Sequence, residues 1–116
     1  NKCANIGYEE VDAELNRVYT LIKKAYQDDK SFLNKLKLAQ EAWIKLRDAD
    51  FSMMFPDADK LGYYGSVFPT CANGFKTQLT LERVAFLKKW LIGSEEGDAC
   101  SGSLKNEESV KEALGE

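Results

Sequence analysis

No histidine occurs in the 116 residues. That absence removes the imidazole base of Ser-His-Asp and Cys-His nucleophilic sites, His-containing zinc sites and the commonest neutral-pH proton shuttle. Cysteine is sparse and odd in number. Cys3, Cys71 and Cys100 lack the close-paired spacing of a zinc finger or redox motif, so no metal is expected. Neither a P-loop nor a dinucleotide glycine pattern is present, and no cofactor is expected. Basic charge is also short: 16 Lys and Arg stand against 19 Asp and Glu, for a formal charge of -3 and a pI near 5.1. A polyanion partner needs a basic face, so nucleic acid is not expected. No apolar run approaches the roughly 20 residues that cross a bilayer, and no charged-then-apolar leader precedes the first helical pattern. That pattern opens almost at Cys3, a start that also fits a leader or lipid-anchor segment removed upstream.

What remains is the make-up of one ordinary globular domain, 44% hydrophobic and 30% charged, long enough for a single core. Tyr8, Val11, Leu15, Val18, Ile22 and Ala25 recur at spacings of three and four, which predicts a helix over about 6–27 with one apolar face. The polar Asp28-Asp29-Lys30 turn ends it, and Ser31 is the expected N-cap of the next helix. There Phe32, Leu36, Ala39, Trp43, Leu46, Asp50 and Met53 follow the same spacing, widened by Leu33 and Ala42. Asp50 on that track needs a partner or an outlook at the bundle end. Pro56 stops the helix.

Between Pro56 and about Thr77 the breakers Gly62, Gly65, Pro69 and Gly74 alternate with Tyr63, Tyr64, Phe68 and Phe75. This predicts a long, ordered Ω-like loop whose aromatics either lie over the core or serve a partner. Thr80 is the expected cap of a third helix carrying Val84, Leu87 and Leu91, with Phe86 and Trp90 beside that stripe and Gly93 at its end. After the hinge Ser101-Gly102-Ser103, Val110, Ala113 and Leu114 suffice for a short amphipathic helix. The expected fold is all-α: an antiparallel three-helix bundle or array, with a helical domain over 1–103 and a polar tail over 104–116.

Carboxylate pairs such as Glu9-Glu10, Asp57 with Asp59 and Glu95-Glu96 lie in polar contexts and read as solvated surface rather than as an acid-base pair across a cleft. Gln40, Trp43 and Arg47 are spaced to share one helix face, as are Asn16 and Tyr19, and Arg83 can join them. They predict a polar network fixing helix register, by pairs such as Asn16 with Gln40 or Arg47 with Asp12 or Asp50. A polar ligand pocket is the alternative. Cys3 and Cys100 lie near opposite ends, where a bridge would contribute about 4–5 kcal/mol in an oxidising compartment. Three reduced thiols fit the count as well.

Three strings carry a resemblance: Asp12 to Tyr19, Ala39 to Asp48 with its Gln40-x-x-Trp43-x-x-x-Arg47-Asp48 pattern, and Leu79 to Arg83. Together, from Cys3 to Cys100, they resemble the LprI-like N-terminal domain family, bacterial envelope proteins named after a lysozyme inhibitor lipoprotein. The resemblance implies a periplasmic or secreted binding protein rather than an enzyme, with a lipid anchor in the full-length precursor as an option. It also implies a protein partner such as a lysozyme; these are commonly cationic, so an acidic inhibitor gains encounter rate. An envelope interaction or immunity-type module with another protein partner is the alternative. Where the family carries two further cysteines this chain has Phe51 and Phe75, so a ring contact is expected in place of a covalent staple. By the same alignment Cys3 and Cys100 become the expected disulfide, leaving Cys71 over, with a Cys71 to Cys100 bridge as the alternative. Loop length and composition place the binding tip within Leu61 to Thr70, at Tyr63, Tyr64, Gly65 and Ser66.

Overall fold

The computed structural model describes the chain over residues 2–116, with side chains described over 7–116. Five helices follow one another: α1 (Lys2–Ala25), α2 (Lys30–Met54), α3 (Phe68–Leu87), α4 (Lys89–Ile92) and α5 (Glu107–Leu114). The described residues contain no strand, and an isolated parallel bridge joins Ser94 to Asn106. The all-α expectation holds, in an elongated shape of 53 × 25 × 22 Å.

The apolar stripe of α1 is the spine of the core. Val11, Leu15, Val18, Ile22 and Ala25 are all buried, as is Tyr26 just beyond the helix. They meet Val84 and Leu87 of α3, Leu36 of α2 and Val110 of α5 in one cluster. Each such side chain contributes about 1.5–3 kcal/mol on burial. Tyr8, Phe32, Trp43, Trp90 and Leu91 close the cluster's flanks.

Three features differ from expectation. Asp29, not Ser31, caps α2: its carboxylate accepts the Phe32 amide at 3.0 Å, and Asp is as good a cap as Ser. The inner face of α2 is also rotated, since Leu46 and Met53 are 57% and 74% exposed while Leu36 and Gln40 are buried. Finally, α3 begins at Phe68, well before the expected Thr80 cap. Pro69 sits in its first turn, where a missing amide hydrogen costs nothing. Thr80 lies fully buried inside the helix, its hydroxyl donating to the Lys76 carbonyl at 2.8 Å.

Residues 104–116 are tied to the rest. Asn106 caps α5 by accepting the Ser109 amide at 2.8 Å. Val110 is 1% exposed in the core.

An ion-pair cluster clamps α1 to the α3–α4 junction. Glu14 receives Arg17 Nε at 2.6 Å and Lys88 Nζ at 3.1 Å. The hydrogen bonds from Arg17 and then Lys88 lower the Glu14 pKa from 4.5 to about 2. A depressed carboxyl stabilises the fold fully above its unfolded value and loses that contribution as pH falls through its folded value. Wild-type stability should therefore decline between pH 4.5 and about 2, and Glu14→Gln should flatten that limb. Denaturant melts at several pH values, with the Glu14 carboxyl followed by NMR, check this; a titration midpoint near 4.5 would contradict it.

Candidate functional site

Two regions gather the residues singled out in the sequence. The first is the end of the molecule where α2 hands over to α3. Phe51, Phe55, Phe68, Phe75 and Tyr64 form an aromatic cluster of their own. Phe55 meets Tyr64, Phe68 and Phe75 edge-on, with centroids 5.5, 5.2 and 6.0 Å away. The Phe51 and Phe75 rings are 6.3 Å apart, inside the range of a favourable ring pair. Lys76 Nζ lies 4.7 Å from the Phe51 centroid.

This cluster holds the loop from Phe55 to Val67. Successive tight turns close it, with amide-to-carbonyl bonds from Ala58 to Phe55 (3.1 Å), Lys60 to Asp57 (3.0 Å), Tyr63 to Lys60 (3.1 Å) and Gly65 to Gly62 (3.1 Å). Gly62 and Gly65 have φ of 73° and 78°, values that side chains resist. Tyr64 is packed inward, stacked on Phe68 at 5.3 Å, and its hydroxyl accepts the Asp57 amide at 3.0 Å. Tyr63 is 59% exposed, and Gly65 and Ser66 are exposed beside it. Lys60 pairs with Asp57 at 2.9 Å and lies 5.5 Å from the Tyr63 ring. Beside the named tip, the expected Leu61 to Thr70 segment and the end of α2 present further apolar residues. Leu61 is fully exposed, and Met53, Met54 and Val67 are exposed as well. Leu61 and Val67 fall within that segment, whereas Met53 and Met54 form the last turn of α2, where the spacing puts Met53 on the inward track. A shallow cavity of about 430 Å³ runs along the loop from Ala58 to Pro69.

The second region is the polar face between α2 and α3. Arg83 Nε donates to Gln40 Oε1 at 3.0 Å. The guanidinium groups of Arg47 and Arg83 stand 5.2 and 5.7 Å from the Trp43 ring, and that of Arg83 stands 5.3 Å from Phe86. Burial alone pushes the Arg83 pKa down. Arg47 Nε bonds its neighbour Asp48 at 3.3 Å, instead of Asp12 or Asp50. Asn16 is exposed on α1, whereas Gln40 is buried and takes Arg83 as its partner. Tyr19 packs on the core flank under Lys23, 5.1 Å from its ring.

Cys71 and Cys100 are both free and exposed, so no bridge joins them. The expected partner of Cys100 in a bridge, Cys3, lies outside the residues whose side chains are described.

Known proteins supply the remaining context. An uncharacterized protein of Rhizobium meliloti (strain 1021) is 35% identical over 106 residues, an alignment covering 82% of this chain and 73% of that protein. No solved structure matches the chain. The sequence model described as lysozyme inhibitor LprI matches residues 1–87, which include α1, α2, the aromatic-stapled loop and all of α3. The chain therefore belongs to the lysozyme inhibitor LprI family.

Proposed function

We propose that the protein is a non-catalytic inhibitor of lysozyme-type muramidases, working outside the cytoplasm and inserting the loop between Phe55 and Val67 into its partner. Membership of a lysozyme inhibitor family supports the partner class and the compartment. The loop's architecture carries the mode of action: Leu61 and Tyr63 stand exposed on a tip that consecutive turns and the Tyr64 staple already hold in shape. A tip ordered before binding loses little conformational freedom on contact, so more of its apolar burial appears as affinity. The formal charge of -3 adds encounter rate against a cationic partner.

The test is a turnover assay on cell-wall substrate with several lysozyme classes. Wild-type protein should inhibit at least one class, and the Leu61→Ala/Tyr63→Ala double variant should inhibit at least tenfold less well, since two exposed anchors lose about 1.4 kcal/mol or more together. Both substitutions are at exposed sites, so helical circular dichroism should be unchanged. Absence of inhibition at large molar excess against every class would sink the inhibitor reading. Inhibition that survives the double substitution would sink loop insertion alone.

A further inference from the structure

The face between α2 and α3 holds a guanidinium, that of Arg83, that makes no ion pair among the described residues. Arg83 is half-buried, its Nε is committed to a neutral amide, and no carboxylate lies within ion-pair distance of it among the described residues. Two carboxylates, Asp50 and Glu82, line the same cavity without engaging it; Glu82 is exposed and receives Gln78 at 3.4 Å. Taking a cation partly out of water without an anion is unfavourable, and the depressed Arg83 pKa has burial as its one cause.

That cation stands where two cavities adjoin. One, of about 230 Å³, is lined by Trp43, Arg47 and Arg83 among others. Its neighbour, of about 250 Å³, is lined by Leu36, Phe86 and Trp90 among others. Arg83 and Phe86 belong to both. The first sets two guanidinium groups and two carboxylates, those of Asp50 and Glu82, against aromatic walls, and the second is chiefly apolar. Each alone is smaller than the roughly 300 Å³ at which drug-sized pockets begin, so the pair suits a small amphiphile with one charged end. Asp50 and Glu82 on the wall of the first cavity oppose a multiply charged anion and leave room for a single negative charge.

We propose that this groove binds a small monocarboxylate bearing a short apolar chain or ring, with the carboxylate received by Arg83 and Arg47 beside Trp43 and the apolar part laid along Phe86 and Trp90. Guanidinium groups are suited to carboxylates because their donors match its two oxygens. The site is separate from the loop tip, so its fate is independent of any result with lysozyme.

The chain's two tryptophans, Trp43 and Trp90, line one cavity each, so intrinsic fluorescence reports occupancy directly. Titration of the whole chain with octanoate, checked by calorimetry, should give saturable one-to-one binding with Kd below about 1 mM. Octanol and octylamine, which keep the chain and lose the carboxylate, should not saturate. Arg83→Gln should weaken octanoate at least about tenfold, the loss of a charge-assisted hydrogen bond. Should that variant unfold, Ala39→Phe provides the second arm. Ala39 is exposed on α2 and lines the apolar cavity, so the added ring blocks the groove without entering the core, and it should abolish octanoate binding by calorimetry. Non-saturating octanoate, equal binding of octanol, unchanged affinity in folded Arg83→Gln or Ala39→Phe, or displacement of octanoate by equimolar inorganic phosphate would each overturn the proposal.

Discussion

Gly93→Ala is expected to lower the unfolding free energy by about 2–5 kcal/mol, the sum of a glycine-only backbone conformation and an unavoidable overlap. Gly93 ends α4 with φ 89° and ψ 172°, a region that residues with a Cβ essentially do not enter. A Cβ there would stand 2.8 Å from both the Cα and the amide nitrogen of Glu107 and 3.0 Å from the Asn106 carbonyl carbon. Those atoms are backbone at the start of α5, so no side chain can swing aside. The crossing is tight because the Ser94 amide donates to the Lys105 carbonyl at 2.8 Å, drawing the two segments together. Gly97→Ala is the matched control, since Gly97 has φ of 85° and open space around it. It should cost only about 1–2 kcal/mol. In thermal melts followed by circular dichroism, Gly93→Ala should lose roughly 10 °C or more, at the usual several degrees per kcal/mol for a domain near this size. Equal losses in the two variants would show that the close approach contributes nothing.

The helix-one stripe was fully legible in the sequence. Of its members Val11, Leu15, Val18, Ile22 and Ala25 are buried and Tyr8 is half-buried on the cluster's flank, because one wide face of α1 is covered. Helix two carries two competing periodic tracks. Leu46 and Met53 continued the apolar one, yet the tertiary arrangement turns Gln40 inward and Arg47 to half-burial, and leaves the two apolar residues in solvent. Composition cannot reveal which side of an overhanging helix acquires a neighbour. The start of α3 is hidden for a local reason: Pro69 and Gly74 look like breaks, whereas proline in a first turn and a single interior glycine are both tolerated.

Legibility of the sites divides the same way. The loop stood out through its breakers and aromatics, and the Phe51 and Phe75 proximity followed from the family resemblance. The division of labour within the loop did not stand out. Tyr63 and Tyr64 are adjacent and chemically identical, yet one is exposed and the other stapled to Asp57 and Phe68; only the turn geometry set by Gly62 and Gly65 separates them. Around Trp43, the spacing of Gln40, Trp43 and Arg47 announced a shared face, and the Arg83 to Gln40 bond occupies it. That Arg83 would be half-buried without an ion pair is a property of three-dimensional placement, beyond the reach of spacing.

Tyr26 follows the last residue of α1 and precedes the polar Gln27 and Asp28, yet it heads the fully buried side chains by volume. Tyr26→Ala is expected to cost about 3–5 kcal/mol, as for other buried aromatic truncations. Its ring lies 4.7 Å from Phe32 of α2. Its hydroxyl donates to the Trp90 carbonyl at 2.9 Å and accepts the Lys105 amide at 3.0 Å. Lys105 Nζ in turn bonds the Ala25 carbonyl at 2.9 Å and Asp28 at 2.7 Å. One side chain thus joins α1, α2, α4 and the strand of chain leading into α5, the last two lying beyond the segment that the family model matches. Tyr26→Phe keeps the ring and removes only the hydroxyl, leaving the Trp90 carbonyl and Lys105 amide without that partner, at about 1–3 kcal/mol. Burial holds the Tyr26 pKa above its ordinary value of 10.0, opposed by the Lys105 amide bond. A raised value means the stabilisation is complete below the unfolded pKa and fades as pH climbs through the folded one. Wild type should therefore lose stability above pH 10 more steeply than Tyr26→Phe does. Denaturant melts of the three proteins at neutral and alkaline pH separate the contributions. If Tyr26→Phe matched wild type while Tyr26→Ala unfolded, ring packing alone would hold the C-terminal stretch to the core, and the hydroxyl bridge would be incidental.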